Sequence, residues 1–144
     1  TTSLRENRAS NEASVTVTGS SNGFFVSQVG PLGGSGNTAT IEVRGNENGA
    51  GLSVIRTAAD TRTALDSYAG LFRGGVFQVG EDNLLDLSVE GNRNVFAVAQ
   101  DGSGNRIDGT QDGGGNMAAV VQVGAMNTSV FSQVGSNNAL GITQ

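Results

Sequence analysis

Glycine stands at positions 80, 91, 102, 113, 124 and 135, always eleven residues apart, and asparagine follows three residues later each time, at Asn83, Asn94, Asn105, Asn116, Asn127 and Asn138. Six residues beyond each asparagine come Val89, Gln100, Gln111, Gln122, Gln133 and Gln144. The unit is N-x-h-x-h-x-Q-x-G-x-x, with h usually apolar. A fixed short period leaves a chain few choices, because each unit is one structural element that buries its apolar face only against its neighbours.

The register carries back to the N-terminus. Asn22-Gly-Phe-Phe-Val-Ser-Gln28 with Gly30 fits it, as does Asn11 with Ala13, Val15, Val17 and Gly19. Asn37 opens a unit ending at Gly45, after extra residues in the loop Pro31–Gly36, and Asn48 with Ala50, Leu52 and Val54 opens the next. Ile55–Gly75 is the weakest stretch. There the register predicts degenerate units at Thr61–Ser67 and Phe72–Gln78, with extra residues between Ile55 and Asp60. The reading is twelve units, paired into about six copies of roughly 22 residues. All seven glutamines (Gln28, Gln78, Gln100, Gln111, Gln122, Gln133, Gln144) and ten of the fourteen asparagines fall on their register positions.

Between each asparagine and glutamine the apolar residues take every second place: Leu85 and Leu87, Phe96 and Val98, Ala118 and Val120, Leu140 and Ile142. Period two means a strand with one face buried, and Asn and Gln share the inward parity. Glycine and its neighbours make the turns, where positive φ is needed. The prediction is an all-β fold, a β-solenoid in the form of a flattened coil with two strands per rung. Each strand stacks in parallel on the strand 22 residues on, at about 4.8 Å, and six rungs span roughly 29 Å. Buried amides are costly if unpaired. Stacked on their like they form ladders that also set the register. Residues 1–10 are expected to be a mobile N-terminal segment and 11–144 the solenoid.

Composition narrows the function. Leu, Ile, Val and Phe number 35 of 144, enough for a thin core, and there is no Cys, His, Trp or Lys. Thiolate and imidazole metal sites, disulfides, Cys or His nucleophile–base pairs and lysine chemistry are thereby excluded. A net charge of −5 offers nucleic acid no electrostatic attraction. No apolar run approaches the ~20 residues of a membrane helix. No signal peptide opens the chain, so it either stays in the cytosol or has lost an export signal. Glu81, Asp82, Asp101 and Asp112-Gly-Gly-Gly resemble calcium-roll turns, but those need a nine-residue period. The carboxylates stand on turn or outward positions with no concave site, and Gly33-Gly34-Ser35-Gly36 has no helix after it to cradle phosphate. No cofactor and no catalytic residue is expected.

The ends point to self-association. No charged residue follows Asp112, and the last unit closes on Gln144 without a cap. Exposed strand edges normally carry charge, proline or bulges, so both ends invite another copy of the chain. Stacking places Asp86 beside Asp108 and Glu90 beside Asp112, with Arg106 expected on the opposite face; such acidic rungs should slow stacking.

The Gln-x-Gly-x-x-Asn signature of Gln122-Val-Gly-Ala-Met-Asn127 and Gln133-Val-Gly-Ser-Asn-Asn138, also present in Gln100-Asp-Gly-Ser-Gly-Asn105, resembles the curlin repeat. The resemblance covers about residues 11–144, poorly at 55–75, and departs from the family pattern of five repeats in showing six and in opening both strands with Asn. It implies a secreted subunit of curli, the functional amyloid of bacterial biofilms, exported unfolded through an outer-membrane pore and assembled on the cell surface on a nucleator subunit. Its partners are then other copies of itself, a nucleator and secretion proteins. The structural ladder comprises Asn11, Asn22, Gln28, Asn37, Asn48, Gln78, Asn83, Asn94, Gln100, Asn105, Gln111, Asn116, Gln122, Asn127, Gln133, Asn138 and Gln144. The turn set is Gly19, Gly30, Gly45, Gly80, Gly91, Gly102, Gly113, Gly124 and Gly135. The competing reading is a monomeric secreted β-solenoid adhesin or binding module; an enzyme ranks third.

Overall fold

The computed structural model describes residues 2–7, 10–49, 64 and 67–144. Eleven strands follow in chain order: β1 (Thr2–Asn7), β2 (Glu12–Thr18), β3 (Phe24–Val29), β4 (Thr38–Arg44), β5 (Gly75–Glu81), β6 (Leu84–Asn92), β7 (Val95–Ser103), β8 (Arg106–Gly114), β9 (Met117–Ala125), β10 (Thr128–Ser136) and β11 (Ala139–Thr143). The odd-numbered strands form one sheet in the order β1-β3-β5-β7-β9-β11, and the even-numbered strands form the other, β10-β8-β6-β4-β2. Every pairing is parallel, and from β5 onward like residues stack 22 apart, Gln78 on Gln100 and Gln111 on Gln133. This is a β-solenoid of about five turns.

The two sheets face each other across a narrow apolar core. Phe24, Val26, Val76, Phe96, Val98, Ala118 and Val120 point in from the odd sheet, and Ala39, Ile41, Val43, Leu85, Leu87, Val89, Ile107 and Phe131 from the even one. Alternation on the even strands explains this directly, since the period-two apolar residues are the ones that vanish from solvent. Phe131 fills the space above Gly109, where a Cβ would lie 2.4 Å from its ring. A large residue thus packs over a small one in the stack.

Insertions leave the column without breaking it. β2 stacks on β4 at an offset of 26, as Ala13 on Ala39, because the Pro31–Gly36 loop stands aside with Leu32 exposed. Between β4 and β5 the displacement is larger: Gln28 pairs with Gln78 and Val43 with Val89. This corrects the count of six copies. β3 pairs directly with β5 and β4 with β6, so no further strand stands between them, and the units read at Asn48–Val54 and Thr61–Ser67 lie, but for Asn48, Gly49, Ala64 and Ser67, outside the described residues. Asn48 keeps its place in the column. Ala64 is helical and buried beside Ala97, Ala119 and Leu71 on the outer face of the odd sheet. The amino-acid sequence supplies the reason: the units read there have Val54 and Ser67 where the ladder needs glutamine and carry Arg56, Asp60, Arg62 and Asp66. The extra residues placed at Ile55–Asp60 lie outside the described residues. At the other end, the column begins with β1 at Thr2 rather than at Asn11, Leu4 pairing with Val26 and Glu6 with Gln28.

Candidate functional site

The polar interior of the column is two kinds of amide stack, and they work differently. In the odd sheet the glutamines form one file: Gln28 Nε2 donates to Gln78 Oε1 (2.8 Å), Gln78 to Gln100 (2.8 Å), Gln100 to Gln122 (3.2 Å) and Gln122 to Gln144 (2.9 Å). Each Nε2 also reaches a backbone carbonyl at the start of the preceding even strand, as Gln100 does to Leu84 O at 3.0 Å. The long side chain therefore bonds along the stack and across the rung at once. In the even sheet only Gln111 and Gln133 hold the position, Nε2 to Oε1 at 2.9 Å. Val89 occupies the next place, so the buried Gln111 Oε1 is left without a partner.

The asparagines form two further files at the corners, Asn11-Asn37-Asn83-Asn105-Asn127 and Asn22-Asn48-Asn94-Asn116-Asn138. Here the short side chain serves the backbone. Each Oδ1 accepts the main-chain N–H of the next asparagine, as Asn37 from Asn83 (3.1 Å), Asn83 from Asn105 (3.2 Å), Asn48 from Asn94 (2.9 Å) and Asn94 from Asn116 (3.0 Å). In the inner rungs Nδ2 donates to the glycine carbonyl one rung on: Asn83 to Gly102, Asn94 to Gly113, Asn105 to Gly124 and Asn116 to Gly135, all at 3.0–3.1 Å. Side-chain-to-side-chain bonds are added at some steps, such as Asn105 Nδ2 to Asn83 Oδ1 at 3.0 Å. The corner turn is thus tied to its neighbour at both ends.

The glycines permit that approach. Gly102 has φ +129°, and a Cβ there would stand 1.8 Å from Gly124 O; Gly113 has φ +120°, with its Cβ 1.9 Å from Gly135 O. Gly19, Gly45, Gly80, Gly91, Gly124 and Gly135 share the positive φ, whereas Gly30 is not in that set: Pro31 follows it and the chain leaves for the loop. Before Asn22, Asn48, Asn83, Asn94, Asn127 and Asn138 the preceding residue also has positive φ, near +60°: Ser21, Glu47, Asp82, Arg93, Met126 and Asn137. Sequence reasoning missed this position. Its only trace is the glycine that takes it at Gly104 and Gly115.

The outer faces differ as well. On the even sheet Asp86 stacks on Asp108 and Glu90 on Asp112. Arg106 stands on this same face, correcting its expected placement opposite, and pairs with Asp108 at 3.7 Å. On the odd sheet Val95, Ala97, Ala99, Met117, Ala119 and Val121 face outward yet are buried. Beside them Tyr68 OH donates to Asp101 Oδ2 at 3.3 Å; burial, followed by the Asp101 charge, raises the phenol pKa and keeps it a donor. Phe25, Phe72 and Phe77 cluster at 5.6–6.0 Å on the same side. Towards the high-numbered end the outer surface turns apolar, with Val123, Met126, Val130 and Val134 exposed. There β11 rises past β10 and leaves an open cleft of about 460 Å³ lined by Phe131, Gln133, Asn138 and Leu140. Among the described residues no group of three or more His, Cys, Asp or Glu could hold a metal ion, and no helix is long and apolar enough to cross a membrane.

Residues 115–144 match the family model of the curlin associated repeat. Neither the curated proteins nor the solved structures contain a match to the chain. The matched segment is β9–β11 with its corner asparagines and both ladder glutamines of the last turn, built like the rungs before it. Over residues 115–144, then, the chain is similar to the curlin associated repeat, and the solenoid repeats the geometry of that segment through the turns before it.

Proposed function

We propose that the chain is the structural subunit of an extracellular curli-like amyloid fibre, polymerising head to tail for biofilm matrix and adhesion. The single observation that carries this reading is the identity of successive rungs. Along the odd sheet the parallel pairing and the Gln-to-Gln bond recur from β3 to β11, and the Asn-to-backbone bond recurs at the corners, so an edge strand of one copy offers another copy what an internal strand offers its neighbour. Repetition of this kind suits a scaffold: it supplies stiffness and templating, and the fold and repeat are structural rather than catalytic in kind. Self-assembly is the partner interaction the geometry favours. A nucleator, a secretion pore and a cell-surface location come from the curlin likeness and complete the reading.

The test is to dilute the denatured, purified chain into buffer and follow it by dye binding, microscopy and diffraction. The reading expects fibres with a 4.7–4.8 Å cross-β reflection and growth accelerated by seeds. A soluble species whose size is independent of concentration would instead support the monomeric adhesin.

A further inference from the structure

β1 is the odd strand out. Without it the odd and even sheets hold five strands each; with it the odd sheet has six. β1 lies on the edge of β3 in the register of a ladder strand, but it sets Glu6 at the position opposite Gln28 and leaves Leu4 half exposed. The Gln28 Oε1 is buried and has no hydrogen-bond partner, although every later glutamine of that file accepts one from the glutamine before it. The edge of β3 is therefore covered yet chemically unsatisfied.

A strand that satisfies it exists in the same molecule. β11 with Gln144 carries the register of the file, Leu140, Ile142 and Gln144 lying over Ala118, Val120 and Gln122. Among the described residues its far edge has no strand on it. Set on β3 of a second copy, the same register brings Leu140 to Phe24, Ile142 to Val26 and Gln144 Nε2 to the unsatisfied Gln28 Oε1. Donation then runs in the sense of every internal step. β2 of the second copy falls on β10, and both sheets continue without a gap. With β1 retained, β11 has no place on β3, and stacking on β1 instead would leave a strand-wide gap in the even sheet. We propose that β1 is a removable cap: it covers the β3 edge in the single chain and is displaced by β11 of a second copy when the chains join. This rests on the polymer reading above and adds how that polymer is held back.

Two variants test it in the otherwise intact chain. Deleting residues 1–10 should raise the seeded growth rate and shorten the lag, about tenfold if the uncapped form is about a tenth of the population. Arg5→Cys with Ser27→Cys joins β1 to β3 at directly paired positions in a chain with no other cysteine. Neighbouring strands about 4.8 Å apart suit a disulfide. Oxidised, this variant should stop adding through its β3 edge; reduced, it should grow as the parent does, which also shows that the substitutions leave folding intact. Parent fibres with the deletion and the oxidised variant both growing at the parental rate would overturn the cap and leave the polymer reading standing. No fibres from any variant, the deletion included, would overturn both.

Discussion

The two sheets of this solenoid share a backbone and a register, yet they are made for different neighbours. The even sheet is buried on one side: β6, β8 and β10 alternate apolar inward with Asp86, Ser88, Asp108, Thr110 and Ser132 outward. The odd sheet is buried on both sides across β7 and β9 and carries the longer glutamine file, five residues against two. The even sheet thus behaves as a wall facing water. The odd sheet behaves as an interior layer, held by amide stacking inside and by covering residues such as Ala64 and Leu71 outside. Parallel sheets are normally covered on both faces, and here only one of the two meets that norm.

The largest expected effect is the one where the difference between the sheets should vanish. Gly102 follows an odd strand's ladder position and Gly113 an even one's, and at both a Cβ meets a backbone carbonyl below 2 Å at positive φ. Gly102→Ala and Gly113→Ala should each cost at least about 4 kcal/mol in urea unfolding of the dilute soluble chain. Gly104→Ala, with φ +65° and its Cβ 3.7 Å from Met126, should cost only about 1 kcal/mol. If Gly102 tolerates alanine, the corner stacking described here is wrong.

Next, the outer faces. Ala119→Asp buries an unpaired charge beneath the cover of the odd sheet and should destabilise by about 3–5 kcal/mol. Thr110→Asp, on the exposed even face, should stay within about 1 kcal/mol in the same unfolding measurement. Equal costs would show that the odd sheet is not covered.

The glutamine files come third. Gln100→Ala leaves Gln122 Oε1 without its stacking donor and opens a cavity, for a loss of about 2–4 kcal/mol. In the even sheet, replacing Gln111 and Gln133 together with valine continues the apolar file of Val43 and Val89 and removes the orphaned Gln111 Oε1. That double variant should cost no more than about 2 kcal/mol, because both partners of the mutual bond are removed at once and only the bonds to the Val95 and Met117 carbonyls are lost. A large loss there would mean that the short file matters as much as the long one.

Smallest is the charge on the wall. Asp86→Asn with Asp108→Asn relieves a like-charge step worth under about 1 kcal/mol and screened by salt. Arg106, paired with Asp108 on the same face, already offsets part of it. The lag of fibre formation should shorten at low ionic strength and be unchanged at high salt.

Much of this was legible in the residues. The eleven-residue register led to strands, corners and parallel stacking, because period-two apolar residues and regularly placed amides have few other solutions. The even strands could be read completely. β7 and β9 were read from Phe96, Val98, Ala118 and Val120 alone, although Val95, Ala97, Ala99, Met117, Ala119 and Val121 between them are apolar too and signal a second buried face. The skipped rung was harder. Asn48 holds a corner place in the column, and only competition between whole segments for the edges of β3 and β4 decides that β5 and β6 take them. β1 was obscured because Glu6 stands in a glutamine place, and the positive-φ corner residues because six different side chains tolerate the position where two glycines accept it freely.

The most direct measurement uses the absence of native cysteine. A single spin label at Thr110→Cys, assembled into fibres, should show no exchange narrowing, because the same residue in the next copy lies about five rungs away, roughly 24 Å. Labels at both Ser88→Cys and Thr110→Cys, which stack directly, should couple strongly, and the coupling should survive dilution with unlabelled chain. A single exchange-narrowed line from the Thr110 label alone, lost on dilution, would mean that each residue stacks on its own copy in neighbouring chains, and would contradict the solenoid as the unit of the fibre.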